Sequence, residues 1–193
     1  MARTSKDNPS IALVRDFSNP ISLVWEGKVF GVSNPTVGTE VVGQTSYAAT
    51  LATFSLRNLG SKAMVPLYAL LSQADVVAGG EIVVSVQTLD TDQFTSGTQI
   101  TVRNRNQRNS DGSSVLAYHT ATLPTFTTGN ANQVFAREIF PSVTAANADN
   151  TINAFGYPGI CVVRPSGAIH IYTNAAITGP SWSFAITWAE LEV

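Results

Sequence analysis

Across residues 181–188 the chain alternates in size and polarity: Trp182, Phe184, Ile186 and Trp188 take every second place, with Ser181, Ser183, Ala185 and Thr187 between them. A two-residue period matches the way side chains alternate across a β-strand, so the segment predicts a strand with one large apolar face. EIVVSVQTLD repeats the pattern, with Ile82, Val84 and Val86 on one face and β-branched residues that suit a pleated surface. In YAATLATFSLRNLG the inward set is Ala52, Phe54 and Leu56. KAMVPLYALLSQAD is more ambiguous, because Leu67, Leu70 and Leu71 also satisfy a helical period; Pro66 within it and Gly79-Gly80 after it favour a strand. ISLVWEG, KVFGVSNP, ICVVRPSG and AIHIYTN add further short strand-like runs, with Pro165-Ser166-Gly167 as a turn. Residues 131–140 predict the single short helix, since Val134, Phe135, Ile139 and Phe140 are spaced for one and Pro141 stops it.

About eight short strands punctuated by Gly, Pro and Asn, with no βαβ alternation, predict an all-β fold. The expected architecture is a two-sheet antiparallel β-sandwich with jelly-roll topology, and an immunoglobulin-like sandwich is the alternative. The 193 residues suit one such domain, placed at 21–193. Residues 1–20, MARTSKDNPSIALVRDFSNP, mix charges, two prolines and a short apolar patch at 11–14, and read as an N-terminal arm. Ile11, Leu13 and Phe17 are the arm's candidate partner-binding residues; a frayed terminus is the competing reading.

Composition changes the picture by what it lacks. Only 12% of residues are charged, against roughly 25% in ordinary soluble proteins, while 44% are apolar. A surface rich in hydroxyls and amides is less costly to bury against a neighbour than an ionic one, which suits extensive protein–protein contact. A neutral extracellular or thermally adapted domain has the same composition. The net charge of −2 removes the overall positive field that nucleic-acid binders use, so no direct nucleic-acid partner is expected. Cys161 is the only cysteine and lies in an apolar run, where a buried thiol is its expected role. No stretch approaches the ~18 consecutive apolar residues of a membrane helix, and none reads as a signal peptide, so a soluble intracellular product is expected.

Candidate chemistry is sparse. His119 and His170 are the two histidines, each in an alternating strand and neither at metal-ligand spacing. With Ile169 and Ile171 inward, His170 is expected to point outward beside Ala168 and Tyr172. No GxSxG elbow is present, and although composition leaves a scattered Ser–His–Asp triad open, nothing marks one. Asp90 and Asp92 form a carboxylate pair two residues apart, read as a solvated turn ahead of a calcium site. Neither metal nor cofactor is therefore expected. Arg103, Arg105 and Arg108, within RNRNQRN, are the one basic concentration. They sit in a polar loop that cannot form core, and their guanidinium forks suit carboxylates of an adjoining subunit or phosphates; a solubilising loop balanced by Asp111 is the plainer alternative. For glycan stacking the candidates are Trp25, Tyr68, Tyr157 and Tyr172, while Trp182 and Trp188 belong to the core or a subunit interface.

The near-neutral, Thr-, Ala-, Gly- and Asn-rich β chain, its N-terminal VRDFSNPISLVWEG and its closing PSWSFAITWAELEV resemble jelly-roll virion structural proteins of tailed bacteriophages, of the capsid decoration or cement type. The resemblance covers most of the chain. It implies a non-enzymatic protein of the virion, assembled in the host cytoplasm, that forms a homo-oligomer, most simply a trimer. Its other partners would be the major capsid protein or further virion proteins, gripped by the arm at Ile11, Leu13 and Phe17. A carbohydrate-binding or receptor-binding β-sandwich, with a glycan as partner, is the alternative, and a hydrolase with a scattered triad is the third.

Overall fold

The alternating runs pair into two antiparallel sheets that pack face to face, so the chain folds as an all-β sandwich. The computed structural model describes residues 20–36, 38–75, 81–125, 132–141, 151–155 and 161–192, of which 132–141 are described as backbone. The strands are β1 (Val29–Ser33), β2 (Val41–Val42), β3 (Leu51–Asn58), β4 (Ala63–Gln73), β5 (Glu81–Leu89) and β6 (Ser96–Ile100). They continue as β7 (Arg103–Asn104), β8 (Val115–Thr122), β9 (Asn132–Pro141), β10 (Thr151–Asn153), β11 (Ala168–Ala175) and β12 (Ser181–Leu191). One sheet has the order β10-β4-β12-β1-β7, with β2 joined to the start of β12; the other runs β6-β8-β3-β11-β5-β9. The expected arm residues Ile11, Leu13 and Phe17 lie outside the described residues.

The core lies between the sheets and is built from the predicted faces. Trp182, Ile186 and Trp188 of β12 are fully enclosed, and Phe184 meets Phe54 of β3 with ring centroids 4.6 Å apart in a tilted geometry that suits aromatic pairs. Leu56, Ile82, Val84 and Val86 close the same layer. β4 is a strand, as Pro66 and the glycines suggest, and its misleading spacing has a cause. Its pairing with β12 slips by one residue, from Thr187 opposite Tyr68 to Trp188 opposite Pro66, so Leu67 is an extra residue at a β-bulge. The bulge breaks the period and accommodates the proline inside a sheet.

Three expectations fail. Residues 132–141 form β9, paired along β5, and not a helix. A bulge again hides the strand period: Val86 pairs with Ala136 and Gln87 with Val134, so Phe135 is the extra residue and Val134-Phe135 reads as a helical pair. The helix of the described residues lies instead where a strand is expected, as α1 (Pro20–Trp25). Proline suits the first helical position, and the end is a Schellman turn: Lys28 N–H donates to Leu23 C=O at 2.9 Å and Gly27 N–H to Val24 C=O at 3.0 Å. Gly27 stands at φ +71°, the left-handed conformation that this turn requires. Finally, His170 is completely buried and does not face solvent.

His170 is covered because the outer face of its sheet carries a second layer of side chains. Phe94 stacks on Tyr118 with centroids 4.4 Å apart, the Arg57 guanidinium lies 4.2 Å from the Phe94 centroid, and Tyr47 packs on Tyr172 at 5.3 Å. Strand alternation sorts residues between two faces, but here both faces are enclosed.

Candidate functional site: the arginine loop

The basic segment begins on β7, an edge strand whose two residues pair with Gly31 and Phe30 of β1, and continues as a loop to residue 114. Its asparagines build the loop from within. The Asn104 side chain accepts from the Asn106 N–H at 2.8 Å, Asn106 from the Arg108 N–H at 3.1 Å, and Asn109 from the Asp111 N–H at 2.8 Å. Each is a side-chain oxygen capturing the amide two residues on, the local bond that makes asparagine a turn former. The amide groups also fasten the loop to α1. Asn104 Nδ2 donates to Gly27 C=O at 2.8 Å and Asn106 Nδ2 to Trp25 C=O at 3.0 Å, satisfying carbonyls that the helix end leaves without partners.

The far end of the loop is held by a carboxylate. Glu190, on β12 and 3% exposed, accepts from the Ser113 hydroxyl, from the Ser114 hydroxyl at 2.7 Å and from the Ser114 N–H at 3.1 Å. The Trp188 indole N–H reaches the same carboxylate at 3.2 Å. Four donors on a buried carboxylate make charge-assisted bonds in a low-dielectric setting, so this end is firmly placed.

Within this frame the arginines face solvent. Arg105 lies flat across β1: a Cβ on Gly31 would come within 2.4–2.7 Å of its guanidinium, and its Nη2 donates to Thr187 Oγ1 at 3.0 Å. Arg103 and Arg105 line an open groove of about 270 Å³ along 31–35 and Ile100-Thr101. Beside the loop, α1 exposes Ile21 (65%) and Trp25 (68%), four residues apart and so on one stripe. Among the described residues, Lys28, Arg57, Lys62 and Arg164 each pair with a carboxylate, and no carboxylate lies within 4 Å of Arg103, Arg105 or Arg108. The structure therefore brings together one aromatic, one aliphatic and three unneutralised guanidinium groups at one end of the sandwich.

The other candidates resolve as follows. Asp90 and Asp92 do not share a site: Asp92 takes two bonds from Arg57 Nε at 2.9 and 3.0 Å, and Asp90 pairs with Arg164 at 3.3 Å. Tyr172 is no stacking platform, being fully buried with its hydroxyl donating to Ala49 C=O at 3.0 Å. Tyr68 is half-buried, Tyr157 lies outside the described residues, and of the three described candidates Trp25 presents a broad exposed ring. His119 is half-buried beside the Thr120 hydroxyl at 3.1 Å, and burial lowers its pKa. Cys161 is half-buried against the core, and burial pushes its thiol up. Among the described residues no cluster of three or more His, Cys, Asp or Glu is placed to hold a metal, and no helix is long and apolar enough to cross a membrane. The role of Glu190 escapes sequence reasoning, since a single acid near the end of an apolar strand carries no mark of the two serines it will meet.

No family model matches the chain, and neither a characterised protein nor a solved structure matches it.

Proposed function

We propose that this chain is a non-enzymatic structural subunit of a virion, a jelly-roll decoration or cement protein that associates with itself and with a neighbouring shell protein. The observation that carries the reading is the arginine loop, with three guanidinium groups left without carboxylates among the described residues, on a preorganised scaffold beside exposed Trp25. Arginine and tryptophan are the residues that dominate binding energy at protein interfaces, and a loop already fixed by its own bonds loses little entropy on docking. The partner surface it fits is acidic, with a shallow apolar recess for the indole.

The jelly-roll assignment is supported by nesting. β1 pairs with β12, β3 with β11, β4 with β10 and β5 with β9, so the earlier strands take partners from the later ones across the sandwich. Such nested antiparallel pairs, divided between two sheets, are what a rolled-up hairpin produces. β6, β7 and β8 then form an insertion between β5 and β9, and the arginine loop belongs to it.

The test is sedimentation of the purified chain with shells assembled without it. The wild-type chain is expected to travel with the shells, and a variant carrying Arg103→Glu, Arg105→Glu and Arg108→Glu to lose at least tenfold in affinity while keeping its β circular dichroism. Equal binding by the variant, or no wild-type affinity for a shell, would remove the loop from this role. In the alternative reading, a glycan-binding module, Trp25 is the most exposed aromatic among the described residues; binding to a glycan array lost on Trp25→Ala would favour it.

A further inference from the structure

The groove lined by Arg103 and Arg105 lies along a stretch of strand edge that β7 leaves uncovered. β1 meets β12 along its whole length on one side, but on the other it meets β7 only at Phe30 and Gly31. Arg105 N–H donates to Val29 C=O at 2.8 Å, so Val29 is a hydrogen-bonding position on that side, and in an antiparallel ladder such positions recur every second residue. Gly31 is the next and stands opposite Arg103. Ser33 is the one after, and β7 does not extend to it. Its N–H and C=O therefore face the groove, and among the described residues no strand stands opposite them.

The groove is preformed and cationic. Val32 and Ile100 are buried in the core and fix its two sides. Asn34 is tied at both ends of its amide, accepting from Phe184 N–H and donating to Thr39 C=O, each at 2.6 Å. Arg105 is held across Gly31 by its bond to Thr187. The lining contains both arginines and no acidic residue. Acids of the neighbourhood are engaged or out of reach: Glu26 pairs with Lys28 at 2.6 Å, and Glu190 is occupied by Ser113, Ser114 and Trp188. Neither Asp111 nor Glu40 comes within 4 Å of an arginine.

We infer that this groove receives an extended acidic segment of the shell partner, which exchanges main-chain hydrogen bonds with Ser33 and lays a carboxylate against Arg103 and Arg105; the inference rests on the reading of the arginine loop as the contact with the shell. Addition to a free strand edge is a general mode of peptide recognition, in which main-chain bonds give affinity and side-chain positions give specificity. Geometry fixes the face. Opposed residues of an antiparallel pair put their side chains on the same face, so a residue set against Ser33 projects on the face that carries Arg103. It stands two residues along from Arg103, about 7 Å, a distance that an arginine and an acidic side chain span together. There a guanidinium fork meets a carboxylate in the bidentate geometry that suits both. A sugar acid would meet the arginines but offers no row of amides to the strand edge, so the uncovered edge selects the peptide.

Amide NMR spectra of the full chain, titrated with a short capped peptide that alternates threonine and aspartate, test this. Binding is expected to shift the amides of Ser33, Asn34 and Arg103. It should weaken about tenfold when asparagine replaces aspartate in the peptide, and equally in a chain carrying Arg103→Gln and Arg105→Gln. Backbone methylation of the peptide adds a comparison that a contact by charge alone would not move. The aspartates face the arginines, so it is their amides that bond to Ser33. Methyl groups on the aspartate amides are expected to weaken binding about fivefold, and on the threonine amides to leave it within about twofold. Equal effects of the two methylated peptides would overturn strand addition. Glucuronate bound as tightly as the acidic peptide would assign the groove to a sugar acid and overturn the peptide. A chain that travels with shells through its arginines but binds no acidic peptide would overturn the groove and leave the loop reading standing, whereas a chain that binds neither would remove both.

Discussion

Gly31 leaves open the space in which the Arg105 guanidinium lies, and this makes it the residue most informative about the loop. Because the obstacle to a Cβ is the mobile end of a side chain, Gly31→Ala is expected to cost only about 1 kcal/mol in urea denaturation while displacing Arg105 from Thr187. Loss of shell binding without loss of fold is the expected pairing, and a variant that unfolds would show that the glycine serves the sheet alone. His170 supplies a prediction of a different kind. Burial lowers its pKa from 6.5 to about 4, with Asp92 pulling upward and Arg57 downward. Between those values the unfolded chain binds the proton and the folded one does not. The contribution is therefore complete above pH 6.5 and is lost as pH falls toward 4, by about 3 kcal/mol. Urea midpoints at pH 7, 5.5 and 4.5 should fall less steeply in His170→Gln than in the wild type; parallel slopes would contradict the assignment. Nearby, Asp92→Ala strands the guanidinium of Arg57, whose side chain is only 18% exposed, and is expected to cost about 2 kcal/mol.

At the scale of elements, what the sequence discloses and what it hides follow from one cause. Strands with an unbroken period, such as β12, β5 and β3, are read directly from their side chains because none of them holds an extra residue: at the two slips in their pairing the inserted residue belongs to the facing strand, β4 or β9. β9 is lost and β4 is ambiguous because each contains an extra residue at a bulge, and one inserted residue flips the remaining pattern to the other face. α1 is missed because its identity lies in its ends, the proline at its start and the Gly27 turn at its finish, and six residues are too few to establish a period. His170 is misplaced because alternation cannot tell that Phe94, Tyr118, Arg57 and Tyr47 cover the second face. The arginine loop is half legible: its charge is visible in RNRNQRN, but its rigidity depends on α1 and Glu190, both distant in sequence. Glu190→Gln keeps the shape of the clamp and removes its charge, so hydrogen exchange at Ser114 and across 105–112 should accelerate about tenfold while the β12 core stays protected. Unchanged exchange would mean that the asparagine bonds alone hold the loop.

For the whole molecule, β12 sets the distance between the ends of the sandwich. Its 11 residues extend about 35 Å from the β11–β12 turn to the loop clamped by Glu190, so the arginine loop stands a full strand length from the opposite end of the sandwich. A brick with unlike ends suits a subunit that must bind copies of itself and something else at once. In the proposed assembly, symmetric closure would give a small ring and leave the cationic ends free for the shell. The central claim is thus that the chain works as a self-associating block, and light scattering coupled to size exclusion measures it most directly. The account predicts a particle mass near three times 20.5 kDa for the wild-type chain. A mass of 20.5 kDa for the wild-type chain at every concentration would contradict it.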